Sequence, residues 1–329
     1  MGIRRCGRYA RVALGSVAVA FVALACGDDG AATAPRSRIP RARRVPPRDG
    51  PVRGEPCDGA GLASPRFAVP YVGGPRPARA GSIVGRVTLR GPVVDPVYEA
   101  WPAMGTDAPT PAGRVVVGEG DALADVVVAI VGIGEGKAFP RRRRDEVPRL
   151  RLVAETGRVR PFVSVTRVGT QLELENRLPA DWVVHGYDGV VAGPTTRFNM
   201  SIGPGATWPD VAELFLEAPG VTFVAEDGRG AFQAYVVTSP HPYVDVTSAA
   251  ARGDVAPGGF RFDDVPPGTY DVVAWHPGLS MRTSRGGRAP RYVVSPPVES
   301  MAHVTVGPFA VVEVAFEFEA PGAEPSRGR

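Results

Sequence analysis

Glu217-Ala218-Pro219-Gly220-Val221-Thr222-Phe223-Val224-Ala225-Glu226-Asp227-Gly228-Arg229-Gly230-Ala231-Phe232-Gln233-Ala234-Tyr235-Val236 is the stretch on which the fold turns. Val221, Phe223 and Ala225 alternate with Thr222 and Val224, a period of two that predicts a β-strand. Asp227-Gly228 signals a tight turn, because glycine takes positive φ without steric cost. Tyr235-Val236-Val237-Thr238 is rich in aromatic and β-branched residues and predicts the returning strand.

The same period extends outward. In Gly81–Pro92, Ile83, Gly85, Val87 and Leu89 share one face, and Val84, Arg86, Thr88 and Arg90 the other. Leu123–Val131 is a nearly continuous apolar run and predicts a buried strand. In Gly259–His276, Phe260 and Phe262 alternate before Pro266-Pro267-Gly268, and Tyr270, Val272 and Ala274 alternate after it. There proline fixes φ, and Gly268 is expected to supply a left-handed position. With 41 Gly and 35 Pro in 329 residues, long helices are disfavoured and turns and strands favoured. The expected class is all-β.

The N-terminus reads as an export signal. Arg4, Arg5, Arg8 and Arg11 precede an apolar run from Val12 to Ala25, too short for an ordinary membrane span. Ala23-Leu24-Ala25-Cys26 resembles the bacterial lipobox. That resemblance implies a lipoprotein signal peptide over residues 1–25 and lipidation of Cys26. The chain is then exported and membrane-anchored through the lipid on Cys26, facing the outer membrane or periplasm; plain secretion is the alternative. Residues 26–80, rich in Pro and Arg without apolar period, are expected to be a disordered tether. The three cysteines are Cys6, Cys26 and Cys57, so the mature chain has no internal disulfide. A net charge of +4 makes no case for nucleic acid, and Arg141–Glu146 reads as a solvated loop.

Two family resemblances organise the rest. Gly-x-Ile-x-Gly-x-Val at 81–87 and Gly259–His276 resemble the carboxypeptidase regulatory-like (transthyretin-like) β-sandwich. Arg160–Asn176 and the Pro219-Gly220 to His241-Pro242-Tyr243 region resemble a cupredoxin, a Greek-key β-sandwich. The resemblances imply a first part of the regulatory-like sandwich over 81–147, a cupredoxin-like sandwich over 148–245, and the closing part of the regulatory-like sandwich over 246–318. A disordered tail follows at 319–329. Whether the second module is inserted in the first or merely adjacent is left open.

The cupredoxin resemblance also places the copper ligands, and none is kept. Type-1 copper needs two imidazoles, one thiolate and usually a weak thioether. Aligning on Asn176 and Pro179 puts Trp182 at the first histidine. Counting back from Ala234-Tyr235-Val236 puts Glu226 at the cysteine, Arg229 at the second histidine and Phe232 at the methionine. No cysteine lies in residues 58–329, so no shift of alignment restores a thiolate. A partly exposed Glu226–Arg229 ion pair is expected in place of the metal, with Trp182 and Phe232 filling the freed volume. His185 and His241 flank the same end and, with Asp227, form the candidate surface or contact site. No cofactor, metal or catalytic residue is expected.

No nucleophile elbow, zinc-protease, P-loop or dinucleotide motif is present. The reading is therefore a non-enzymatic cell-envelope lipoprotein, a binding or structural module whose partner is an envelope protein or polysaccharide. One rival is a periplasmic electron-transfer protein of cupredoxin type, disfavoured by the missing ligands. The other is an envelope enzyme, for which Glu226, Asp227, Arg229 and His185 are the residues to inspect.

Overall fold

The computed structural model describes residues 50–57, 62, 66–140, 147–189, 195–208, 214–284 and 290–321. The expected signal peptide, Cys26, the tether as far as residue 49, the 141–146 charge run and the tail from residue 322 lie outside the described residues. The described chain is all-β, with two short 3-10 turns at Pro102–Met104 and Glu119–Asp121.

The first strands are β1 (Val52–Arg53), β2 (Glu55–Pro56), β3 (Val72–Gly74), β4 (Gly81–Arg90), β5 (Val97–Tyr98), β6 (Thr110–Pro111), β7 (Val127–Val131) and β8 (Glu135–Lys137). A middle group follows: β9 (Arg149–Glu155), β10 (Arg158–Arg160), β11 (Val163–Arg167), β12 (Thr170–Asn176), β13 (Trp182–Asp188), β14 (Thr196–Ile202), β15 (Thr207–Trp208), β16 (Phe215–Leu216), β17 (Gly220–Glu226) and β18 (Ala234–Ser239). The chain closes with β19 (Val244–Val246), β20 (Gly259–Val265), β21 (Gly268–His276), β22 (Met281–Ser284), β23 (Arg291–Val294), β24 (Val298–Val306) and β25 (Val311–Glu319).

Four sheets carry the fold. In the first sandwich, an outer sheet β1-β25-β4-β20 faces an inner sheet β19-β7-β21-β24-β2. In the second, an inner sheet β11-β18-β17-β13-β14 faces an outer sheet β10-β9-β12-β15, with β16 also on β12. Strands β4 and β7 find their partners in β20, β25, β19 and β21. The chain thus leaves the first sandwich after β8 and returns at β19, just before the boundary expected at residue 245. Tyr243 already belongs to the first core.

Side-chain parity stacks these sheets into layers. Ile83, Val87 and Leu89 of β4 meet Val128 and Ile130 of β7 and Val272 and Ala274 of β21 in one core. Leu172 and Leu174 of β12 meet Val184, Val224, Ala234 and Val236 in a second. A third core joins the two inner sheets: Val127 and Ala129 of β7 and Trp275 of β21 pack with Phe223, Ala225, Tyr235 and Val237. Strand β7 is buried throughout because its even positions enter one core and its odd positions another. That is why its sequence is a continuous apolar run and not an alternation.

Three expectations are corrected. The tether does not extend to residue 80. Strand β1 pairs parallel with β25 and β2 antiparallel with β24, while Leu62 and Phe67 are buried in the third core. The segment has no apolar period because the sheet edges, not its own pattern, supply its hydrogen bonds. The left-handed residue at the Pro-Pro-Gly corner is Asp264 (φ 62°), at a register shift between Asp263 and Val265. Gly268 instead makes room for the Tyr270 hydroxyl, which donates to the Pro266 carbonyl at 2.8 Å. Finally, the tail begins later than residue 319: Ala320 is buried and its amide donates to Arg90.

Gly85 is required by close approach. A Cβ there would fall 2.2 Å from the Val314 carbonyl oxygen and 2.5 Å from the Phe260 ring. Gly85→Ala is expected to destabilise the fold by about 1–3 kcal/mol, the usual cost of overpacking. Chemical denaturation checks this, and an unchanged midpoint would contradict the packing described.

Candidate functional site

Strands β17 and β18 pair antiparallel from Gly220↔Thr238 to Val224↔Ala234, so the strand–turn–strand reading holds. The turn is longer than Asp227-Gly228 suggests. The Glu226 amide donates to the Ala231 carbonyl, the Gly230 amide donates to the Glu226 carbonyl, and the left-handed residues are Gly230 (φ 68°) and Phe232 (φ 49°). Positive φ in a bulky residue is strained. Packing holds Phe232 there: it is 2 % exposed, with its ring 6.4 Å from Tyr98 and 6.0 Å from Trp101.

Of the four positions that the resemblance assigns to copper, Trp182 is fully buried and shares the second core with Phe232. The Glu226 carboxylate is buried and accepts the amides of Gly228 at 2.5 Å and Arg229 at 2.6 Å. Burial raises its pKa, opposed by those backbone donors. The expected Glu226–Arg229 ion pair is absent among the described residues. The Arg229 guanidinium lies 4.0 Å from the centre of the Trp101 ring, a cation–π contact, and its carbonyl accepts the Tyr292 amide. An indole, a phenyl ring, a carboxylate already holding two amides and a guanidinium offer no thiolate or imidazole, so these residues do not fit a type-1 copper ion. Among the described residues, no group of three or more His, Cys, Asp or Glu could hold a metal.

The structure brings together only part of the His185, His241 and Asp227 set. His185 Nδ1 lies 3.3 Å from Asp227 Oδ1, its Nε2 lies 2.8 Å from the exposed Thr196 hydroxyl, and its ring stacks on Tyr187 at 4.1 Å. His241 is not at the surface. It is 1 % exposed and packs against Phe67, Tyr71 and Tyr243. His241-Pro242-Tyr243 reads as a loop, but Phe67 and Tyr71 fold over it.

The feature that unites this end is a cleft of about 450 Å³, within the range of small-ligand sites, roughly 300–1,000 Å³. It lies where the third core stops short, between the inner sheet of the second sandwich and the β22–β23 hairpin, a separate two-stranded sheet whose Tyr292 packs in the second core. Its floor is a row of cross-strand rings. Tyr187 pairs with Phe223, and Phe223 with Tyr235. Their rings stack at 6.0 Å and 5.0 Å with planes 22° and 30° apart. Glu226, Asp227, Arg229 and Gln233 line one side; Ser284, Arg291, Tyr292 and Val293 line the other. Burial, and then the Asp227 carboxylate, raise the Tyr187 pKa, with Arg291 opposing them, so both charges face that phenol.

Behind the floor lies Arg114, fully buried. Its guanidinium donates to Gln233 Oε1 in the second sandwich and to the Pro277 carbonyl in the first at 3.1 Å, and it sits 5.1 Å from the Phe162 ring centre. No carboxylate pairs with it among the described residues. The Arg114 carbonyl faces His276 Nε2 at 3.0 Å, while His276 Nδ1 accepts the Gly278 amide. The proton of His276 is therefore on Nε2. Burial, and then the Arg114 charge, hold its pKa down at about 3. Sequence reasoning missed Arg114, Tyr187, Gln233, Arg291 and Trp101. The one available signal was Gln233, a lone amide inside Ala231-Phe232-Gln233-Ala234-Tyr235.

Arg114→Ala leaves two buried acceptors unsatisfied and opens a cavity. It is expected to cost about 3–5 kcal/mol in denaturant titrations, and a loss under 1 kcal/mol would refute the pinning role. His241 supplies a pH test. Burial lowers its pKa from 6.5 to about 4, so the unfolded chain takes up a proton that the folded one refuses, and stability is lost as pH falls from 6.5 towards 4. Replacing His241 by Phe, which fits the aromatic surround, should flatten the stability–pH slope in that window by about 1.4 kcal/mol per unit. Equal slopes in the two proteins would rule out a neutral, buried His241.

Compared with known protein families and with curated proteins, the chain matches none.

Proposed function

We propose that the chain is an exported cell-envelope lipoprotein that binds a ligand and does not transform it. In this reading Cys26 carries the lipid, the first sandwich is regulatory-like and the second is a cupredoxin-like module without copper. The cleft between the second sandwich and the β22–β23 hairpin is the ligand site, and the occupant is supplied by the envelope.

The observation that carries the reading is the cleft itself. It lies between the inner sheet of the second sandwich and the separate β22–β23 hairpin, ends an otherwise continuous apolar core and gathers Asp227, Arg291, Ser284 and Gln233 around aromatic rings. A mostly apolar hollow with a few converging polar groups is the usual form of a binding site. Against an electron-transfer role stands the absence of any cysteine in residues 58–329. Against catalysis by Glu226 and Arg229 stand their existing contacts: one holds the turn amides and the other lies on Trp101.

Hydroxyl-radical footprinting of the full chain, with and without detergent-solubilised native envelope, tests this. Tyr187 and Val293 are expected to become protected while the exposed Phe309 stays reactive. Protection elsewhere with Tyr187 and Val293 unchanged would overturn the assignment of the cleft.

A further inference from the structure

We infer that the occupant of the cleft is an aromatic side chain of an extended polypeptide, with an acidic residue beside it. This deepens the binding reading above and rests on it.

The orientation of the floor selects the ligand. Tyr187, Phe223 and Tyr235 occupy directly paired positions on β13, β17 and β18, and their planes are nearly parallel. Each ring therefore spends its faces on its neighbours. His185 covers the remaining face of Tyr187 at 4.1 Å and 14°. Tyr235 is fully buried, so what the row presents to the cleft is the ring edges of Tyr187 and Phe223. Aromatic edges are the positive part of the ring quadrupole and favour the negative face of another ring in a T-shaped contact. A sugar ring, which lays its C–H face on a free aromatic face, finds none here. The buried Arg114 guanidinium behind Tyr235, without a carboxylate partner among the described residues, adds positive potential to the same floor.

The walls agree with this. Phe223, Ala225 and Tyr235 are members of the core that packs sandwich on sandwich, so a large apolar side chain entering the cleft continues an interface already built. The volume of about 450 Å³ accepts such a side chain, which buries roughly 150–250 Å². At the mouth, Asp227 is engaged with His185. Arg291 is exposed and has no carboxylate partner among the described residues. It is the group left to take an acid flanking the ring, in the bidentate geometry that guanidinium favours.

The test titrates the full chain calorimetrically with acetylated, amidated pentapeptides whose central residue is tryptophan, phenylalanine or leucine, flanked by aspartate or by lysine. Tryptophan and phenylalanine peptides are expected to bind at least about tenfold more tightly than leucine peptides. Aspartate-flanked forms should bind about tenfold more tightly than lysine-flanked ones. Arg291→Ala, a change at an exposed side chain, should abolish the flank preference and leave the ring preference. Tyr187→Ala should weaken every peptide. Equal affinity for aromatic and leucine peptides, no binding at millimolar peptide, or binding of maltotriose or chitotriose in their place overturns the proposal. Protection of Tyr187 and Val293 by envelope material together with any of these results would sink the peptide assignment and leave the cleft as a ligand site. Loss of that protection as well would sink both.

Discussion

The strands of the inner sheets must satisfy two cores at once, and the rest of the molecule follows from that requirement. Strand β7 places Val128 and Ile130 in the first sandwich and Val127 and Ala129 against the second. Strands β17 and β18 do the same from the other side, sending Val224 and Val236 one way and Phe223 and Tyr235 the other. A sheet buried on both faces has no polar side, so neither sandwich could expose its inner sheet to water without exposing a broad apolar surface. The two modules are thereby fixed on one another. Arg114 adds a polar link across the same seam, from Gln233 to Pro277.

The end of the second sandwich is closed by side chains that come from remote parts of the chain. Residues 98 to 112, which follow β4 in the chain, fold over it and place Tyr98, Met104 and Ala112 in its core. Trp101 receives the Arg229 guanidinium, and β23 docks on the turn through the Tyr292 amide. The Glu226 carboxylate occupies the centre of the turn and satisfies two of its amides. Shape is held here by packing and backbone hydrogen bonds, and the cleft remains open beside it.

The fold was legible wherever a residue's burial depends on its own strand. The alternation of Ile83, Val87 and Leu89 and the Phe260–Phe262 pair needed only a period of two. Elements fixed by a distant partner were not legible. The pairing of Glu226 with Arg229 looked natural at a spacing of three, yet Trp101, remote in sequence, claims the guanidinium. Asp264 and Phe232 are left-handed without being glycine, because a register shift and a ring stack impose the conformation. His241 reads as a loop residue until Phe67 is seen on top of it. The cleft could not be inferred at all, since its two walls, the second sandwich and the β22–β23 hairpin, are far apart in sequence and its floor depends on which rings the register places side by side.

The strap at residues 52 to 56 carries a mechanical consequence. It adds β1 to the outer sheet and β2 to the inner sheet, crossing between them at Gly54, where a Cβ would strike the Phe316 ring at 2.2 Å. Tension on the chain ahead of residue 50 would therefore be borne first by the pairing of β1 with β25 and passed to β2 on β24 only once that pairing gives way. Because β1 runs parallel to β25, the pull acts along the strands, and the ladder bonds between them resist together in shear instead of opening one after another.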